Sequence, residues 1–143
     1  MKSLRNTLLP ALRAEAQAIA IYRAEVYWVR GANRKAFLTH ILKEEEAHLG
    51  ALSHWEKLSP IDHFINTAAG LIIGSLLASL PWKWLCPLQS KAELQASQIY
   101  KIAKNKLELA QGPKSVIKVL HEALSSENRH AQMFLIDAPL ISS

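Results

Sequence analysis

Lys43-Glu44-Glu45-Glu46-Ala47-His48 and Ser126-Glu127-Asn128-Arg129-His130 each contain a Glu-x-x-His pair, and the reading of these two stretches decides the fold. In an α-helix, residues three apart are separated by about 4.5 Å of rise and lie on the same face. One carboxylate and one imidazole can therefore reach a single metal ion from one helix. Each pair follows an isolated glutamate: Glu15 stands thirty residues before Glu45, and Glu93 thirty-four before Glu127. With ten glutamates and six histidines in 143 residues, chance supplies roughly 0.4 such pairs. Two pairs in a repeated order exceed that.

A lone glutamate from each of two helices plus a Glu-x-x-His from each of two others is the ligand set of ferritin-like carboxylate di-metal bundles. The alternative is that these are solvated surface charges, the usual fate of glutamate. Periodicity argues against it. Glu15 shares a face with Leu8, Leu12, Ile19 and Tyr22. Glu45 and His48 follow Phe37, Leu38 and Ile41; Glu127 and His130 follow Val116, Leu120 and Ala123; Glu93 precedes Ala96, Tyr100 and Leu107. All four acids lie on stripes that point into a core. Two carboxylates about 4 Å apart repel by roughly 4 kcal/mol at an effective dielectric of 20, so four buried together need protons or a cation.

The chain is long enough for one domain with a substantial core, and residues 1–143 are read as one. Five glycines and six prolines are too few for a loop-rich or disordered protein. The single cysteine, Cys86, excludes an internal disulfide and fits a reducing compartment. Met1 to Pro10 has basic residues but no small-residue cleavage site after an apolar region, and does not read as a signal peptide. The net charge of +5 is spread along the chain. No zinc pattern, RNA-binding aromatic motif or homeodomain-like segment accompanies it, so nucleic acid is not an expected partner. Attraction to an anionic membrane surface fits it better.

Proline and glycine divide the sequence into five expected helices, about 4–30, 33–58, 62–80, 87–111 and 114–136, with Gly31 as a C-cap and Asp62 as an N-cap. No stretch alternates with period two. The expected fold class is all-α: a ferritin-like four-helix bundle with an additional short apolar helix, the two helical pairs suggesting an internal duplication. The third helix differs from the rest. Ala68 to Leu80 is uncharged and mostly apolar, including Leu76 and Leu77, but shorter than the roughly 20 residues that span a bilayer. Trp82, Lys83 and Trp84 then combine two aromatics and a cation, as at a membrane interface. Gly70 and Gly74 form a face that permits close helix approach. This segment reads as dipping into one leaflet or covering the mouth of an apolar tunnel; the competing reading is a buried core helix.

These residues together resemble the demethoxyubiquinone hydroxylases of ubiquinone biosynthesis. Glu15, Ala18, Ile21 and Tyr22 are similar to that family's first-helix Glu-x-x-Ala-x-x-Ile-Tyr stretch, and Glu45 with His48-Leu49 to its second-helix pair. Asn66 to Leu80 occupies the place of its membrane-associated segment. Glu93, seven residues before Tyr100, resembles its fourth-helix ligand, and Glu127 with His130 its last pair. The family's histidine just before the fourth-helix tyrosine is Ile99 here. The resemblance implies two iron ions per chain, with manganese as the other metal suited to carboxylate and imidazole donors. It implies Glu15, Glu45 and His48 on one iron, Glu93, Glu127 and His130 on the other, and Glu45 and Glu127 as bridging, catalytic carboxylates. It further implies Tyr100 at the substrate, and a peripheral position on the cytoplasmic face of the inner membrane, or on the matrix side if organellar.

The expected function is then a membrane-associated di-iron monooxygenase. It would use dioxygen and an electron donor to hydroxylate a polyprenyl benzoquinone or quinol, and it could form a homo-oligomer. Two alternatives stay open: a soluble ferritin-like iron oxidase or peroxide scavenger, and a non-catalytic lipid-binding or assembly protein whose glutamates pair with lysines. Glu44, Glu46, Glu108 and Glu122 read as solvated, and His40, His54, His63 and His121 as lying off the ligand stripe.

Overall fold

The stripes read from the sequence are the ones that become buried. Leu8, Leu12, Ile19 and Tyr22 on the first helix, Leu38 and Ile41 on the second, Tyr100 and Leu107 on the fourth, and Val116, Leu120 and Ala123 on the last are all nearly inaccessible. The computed structural model describes residues 2–143, so only Met1 of the opening segment lies outside it. The chain is all-α: α1 (Lys2–Trp28), α2 (Ala32–Ser53), α3 (Pro60–Ala78), α4 (Trp82–Leu109) and α5 (Lys114–Gln132), with no strand among the described residues. α5 runs on through a π-helical turn, Met133–Asp137, and a 3-10 turn, Ala138–Leu140. α1 packs against α2, α3 and α4, while α5 packs against α4 and, less extensively, α2.

Two apolar clusters form along these contacts. One gathers Leu8, Leu12, Leu52, Tyr100, Leu107, Val116 and Leu120; the other gathers Tyr22, Leu38, Ile41, Trp82, Leu85, Cys86 and Phe134. The two Glu-x-x-His pairs and the two lone glutamates fall between them in α1, α2, α4 and α5. A buried polar layer is thus clamped between two apolar ones, which excludes water and holds the side chains in fixed rotamers.

Several boundaries differ from expectation, each for a packing reason. α2 stops at Ser53 rather than near Leu58, because Trp55 and Leu58 fold back onto the cluster around Leu8 and Leu52. The N-cap of α3 is Ser59, not Asp62: its hydroxyl accepts from the Asp62 backbone N–H and donates to the Asp62 carboxylate, with Pro60 in the first turn. α4 begins at Trp82, five residues before the expected start at Pro87. The cause is Trp82 itself: it is buried, its Nε1 donates to the Ala138 carbonyl at 2.7 Å, and Arg34 lies over its ring. Tertiary contacts override the proline signal. The expected pairing of Trp82 with Trp84 as interfacial aromatics is therefore corrected, since only Trp84 and Lys83 are exposed. Gly31 does not cap α1 in the expected way. It precedes α2 with φ 100°, a left-handed conformation that favours glycine.

α3 is not a core helix. Ile61, Phe64, Ile65, Leu71, Ile72, Ile73 and Leu76 are exposed, and Leu77 is half-buried at the edge of a cluster. Among its residues only Gly70 and Gly74 are buried; a Cβ on either would collide with the backbone of α1 at Gln17 or Ile21. The two glycines let the helices touch backbone to backbone. At 19 residues α3 extends about 28 Å, long and apolar enough to cross a membrane by length and composition.

Candidate metal centre

Helical spacing builds the site. α1 and α4 each supply one inward glutamate, Glu15 and Glu93. α2 and α5 each supply a glutamate and a histidine one turn apart, Glu45 with His48 and Glu127 with His130. The structure brings all six together in two overlapping groups, each with donor atoms within 4.8 Å of one another: Glu15, Glu45, His48 and Glu127; and Glu45, Glu93, Glu127 and His130. Glu45 and Glu127 are common to both, the position a bridging carboxylate occupies. Both histidines present Nδ1. That of His48 lies 3.6 Å from Glu15, 3.8 Å from Glu45 and 3.2 Å from Glu127. That of His130 lies 3.0 Å from Glu45, 3.7 Å from Glu93 and 4.0 Å from Glu127.

Buried polar atoms are normally bonded. Here Glu15 Oε2, Glu45 Oε1, both Glu127 oxygens, His48 Nδ1 and His130 Nδ1 are buried and have no hydrogen-bond partner. These are the inward-facing atoms of the two groups. Oxygen and imidazole donors converging without internal partners fit two divalent cations of the iron or manganese type.

The electrostatics of the metal-free chain supports the same fit. Burial pushes the Glu127 carboxyl up to about 10 and Glu15 up to about 8, with the charge of Glu45 adding to the latter. Glu45 departs from the expectation that every acid in the layer is raised. Burial opposes its charge, but the nearby imidazoles of His130 at 3.0 Å and His48 at 3.8 Å outweigh burial and hold it down to about 2. Burial would likewise discharge the histidines. Their carboxylate neighbours reverse this, taking His48 up to about 12 and His130 up to about 10. The layer holds protons where a metal would hold charge, so cation binding must displace them.

The partners behind the six side chains were only partly legible. The Tyr22 hydroxyl donates to Glu93 and the Tyr100 hydroxyl to Glu15, each tyrosine crossing to the other helix's acid. Tyr100 is fully buried, lines neither of the two openings described below, and donates to Glu15, a member of the first group. A sequence signal existed for this exchange. Ala14-Glu15-x-Gln17-Ala18-x-x-Ile21-Tyr22 recurs as Ala92-Glu93-x-Gln95-Ala96-x-x-Ile99-Tyr100. Glu44 is corrected. Rather than solvated, it lies against His130 Nε2 and accepts from Arg129 at 2.8 Å on both oxygens; His130 and then Arg129 keep its carboxyl below the usual range despite partial burial. Glu25, fully buried on α1 and bonded by Gln89 at 2.5 Å, had no reading at all. Burial raises the Cys86 thiol to about 11, in keeping with an inert core cysteine.

Two openings reach the layer. Between α1 and α4 a cavity of about 260 Å³ is lined by both copies of the repeated residues, including Gln17, Ile21, Gln95 and Ile99, and by Ile73 of α3. Between α2 and α5 a groove of about 650 Å³ is lined by Glu44, His48, His121, Glu122, Ser126 and Arg129 among others. No family model, curated protein or solved structure was found to match the chain.

Proposed function

We propose that the chain is a membrane-associated di-iron monooxygenase of ferritin-like, four-helix architecture that hydroxylates a polyprenyl benzoquinone or quinol, as the resemblance to the demethoxyubiquinone hydroxylases implies. One observation carries the reading: unpartnered buried donors converge in two groups sharing Glu45 and Glu127, beside a cavity to whose lining the exposed apolar helix α3 contributes Ile73. The soluble iron oxidase reading leaves that helix without a purpose.

Bound iron would supply dioxygen activation. The chain's own residues do the rest. Glu45 and Glu127, common to both groups, would serve both irons, Glu15 with His48 and Glu93 with His130 would complete the two centres, and Tyr100 and Tyr22 hold Glu15 and Glu93 in place by donating to one oxygen of each. Of the neutral hydrogen-bonding side chains of the α1–α4 cavity, Gln89 donates to Glu25 and Tyr22 to Glu93, which leaves Gln17 and Gln95 suited to the ring oxygens of a quinone or quinol. Ile21, Ile73 and Ile99 exclude water beside them. The outer face of α3, with Trp84 and Lys83, lies in the lipid surface, so that an isoprenoid substrate reaches the cavity without crossing water. The balance is one ring C–H and one dioxygen converted to C–OH and water, with two electrons and two protons from an external donor.

The test has two parts. Anaerobic iron reconstitution of the full chain is expected to give two irons per chain by elemental analysis. With a polyprenyl quinol in anionic vesicles and a chemical reductant, one atom of labelled dioxygen is expected in the product ring. One tightly bound zinc, or no metal, sinks the di-iron reading. Iron oxidation with the quinol untouched makes the iron oxidase the better one.

A further inference from the structure

The two histidines of the site are not supported alike. His130 is engaged at both ring nitrogens. Its Nδ1 faces Glu45 at 3.0 Å, and its Nε2 lies against the Glu44 carboxylate, which Arg129 clamps at 2.8 Å. A carboxylate behind a histidine keeps the proton on the outer nitrogen, frees the inner lone pair and raises its basicity. His48 has the same inward contact through Nδ1, but among the described residues no protein group bonds its Nε2. Its ring lines the α2–α5 groove and is 14% exposed, whereas His130 is 0% exposed.

We infer that the two centres fill in sequence. The centre at His130 takes the first divalent cation tightly, with Glu44 as its positioning residue. The centre at His48 takes the second more weakly and exchanges it through the α2–α5 groove. This rests on the di-metal reading above. The shared carboxylates separate the two steps: once Glu45 and Glu127 hold one cation, less negative charge is left for the second, and Glu15 is the one carboxylate private to the outer centre. The groove also suits the passage. A hydrated cation sheds water stepwise onto oxygen and imidazole donors, which Glu44, Glu122, Ser126 and His121 supply along the groove that His48 itself lines.

Metal-free full-length protein titrated anaerobically with Co²⁺, followed by visible absorption and calorimetry, tests the order without any activity measurement. Wild type is expected to bind two equivalents in two steps separated by at least about tenfold in Kd. Glu44→Ala is expected to weaken the tight step by about 10–100-fold and bring the two together. Glu44→Gln, which keeps an acceptor, falls between. His48→Ala removes the weak step and leaves the tight one. Glu44 lies at the surface end of the pair, and thermal melts followed by circular dichroism check that each variant folds. Arg129→Gln, which loosens the clamp without touching the carboxylate, shifts the tight step in the same direction by less. Two equivalents bound in one indistinguishable step, or an unchanged tight step in Glu44→Ala, overturns the sequential order. Absence of cobalt binding in wild type overturns the di-metal reading itself and the order with it.

Discussion

The half of the molecule made by α1 and α2 and the half made by α4 and α5 use one plan twice, and they differ in what surrounds it. Each begins with the same Ala-Glu-x-Gln-Ala-x-x-Ile-Tyr stretch and ends with a Glu-x-x-His. Their tyrosines even exchange acids. Yet the first half carries α3 on its outside, leaves His48 on an open groove and buries Glu25, where the second half has Ala103 at the equivalent repeat position. The candidate donor set is symmetric; access and the additional buried acid are not. Symmetry of this kind sets the chemistry a site can hold, while the asymmetry decides what reaches it and from which side.

The largest effect expected tests the symmetric part. Glu45→Gln and Glu127→Gln should each abolish binding at both centres, because each carboxylate serves both; elemental analysis after reconstitution reads this directly. A variant retaining one full equivalent would show that the acids do not bridge. Metal-free stability should separate the pair. Gln at 127 mimics the protonated acid that burial enforces, so Glu127→Gln is neutral or stabilising. Glu45 is held charged by two histidines, so Glu45→Gln removes the carboxylate facing both Nδ1 atoms, leaves His130 with Glu44 alone, and costs stability.

A second contrast lies at the junction of the halves. Trp82→Ala removes a core aromatic and its bond to Ala138, and should lower stability by about 3–5 kcal/mol in denaturant titration. Trp84→Ala combined with Leu76→Ser should leave stability and metal content unchanged while weakening sedimentation with anionic vesicles. Vesicle binding that ignores both salt and these exposed residues would make α3 a protein interface.

How much of this the sequence could reveal depended on range. The helices, the six candidate donors and the inward stripes are local: period 3.6 and a three-residue spacing place them without knowledge of any neighbour. The start of α4 was missed because the force holding Trp82 in a helix comes from Ala138 and Arg34, far along the chain. Glu44 was missed for the same reason. Like Glu46 on the other side of Glu45, it looks like a solvated acid, and only the approach of α5 turns it toward His130. Tyr100 was visible as a partner of the repeat, but not as the partner of Glu15.

Glu25 breaks the symmetry energetically and gives the next effect. It is fully buried, bonded to Gln89, and its Oε2 has no partner. Burial raises its carboxyl to about 8, against the help of Gln89. A raised folded value means that the folded chain holds a proton the unfolded chain has released. Stability from this group is therefore complete in mild acid and is lost as pH rises through the interval up to about 8. At neutral pH the penalty is on the order of 3 kcal/mol. Glu25→Gln should flatten the pH dependence of metal-free stability over that interval and raise stability at pH 7, measured by urea titration across pH. If the variant is less stable at pH 7 than wild type, Glu25 has a cation partner instead of a proton.

The smallest effect concerns how α3 is seated on the first half. Gly74 approaches the backbone of α1 at Ile21 and the side chain of Ala24, and Gly70 approaches Gln17 and Ala20. A methyl at either position has no room unless the helices separate, and overpacking of this kind costs about 1–3 kcal/mol. Part of that is offset, because alanine is the better helix former by roughly 1 kcal/mol. The net loss for Gly70→Ala or Gly74→Ala should therefore be small in global stability but concentrated in α3, seen as faster amide exchange over residues 60–78 with protection of α4 and α5 unchanged. Ile73 lines the α1–α4 cavity, so the same separation should widen that opening and leave the α2–α5 groove as it was. Faster exchange spread evenly through all five helices would mean instead that α3 is an integral part of the cooperative core, and that the two halves differ less than their surroundings indicate.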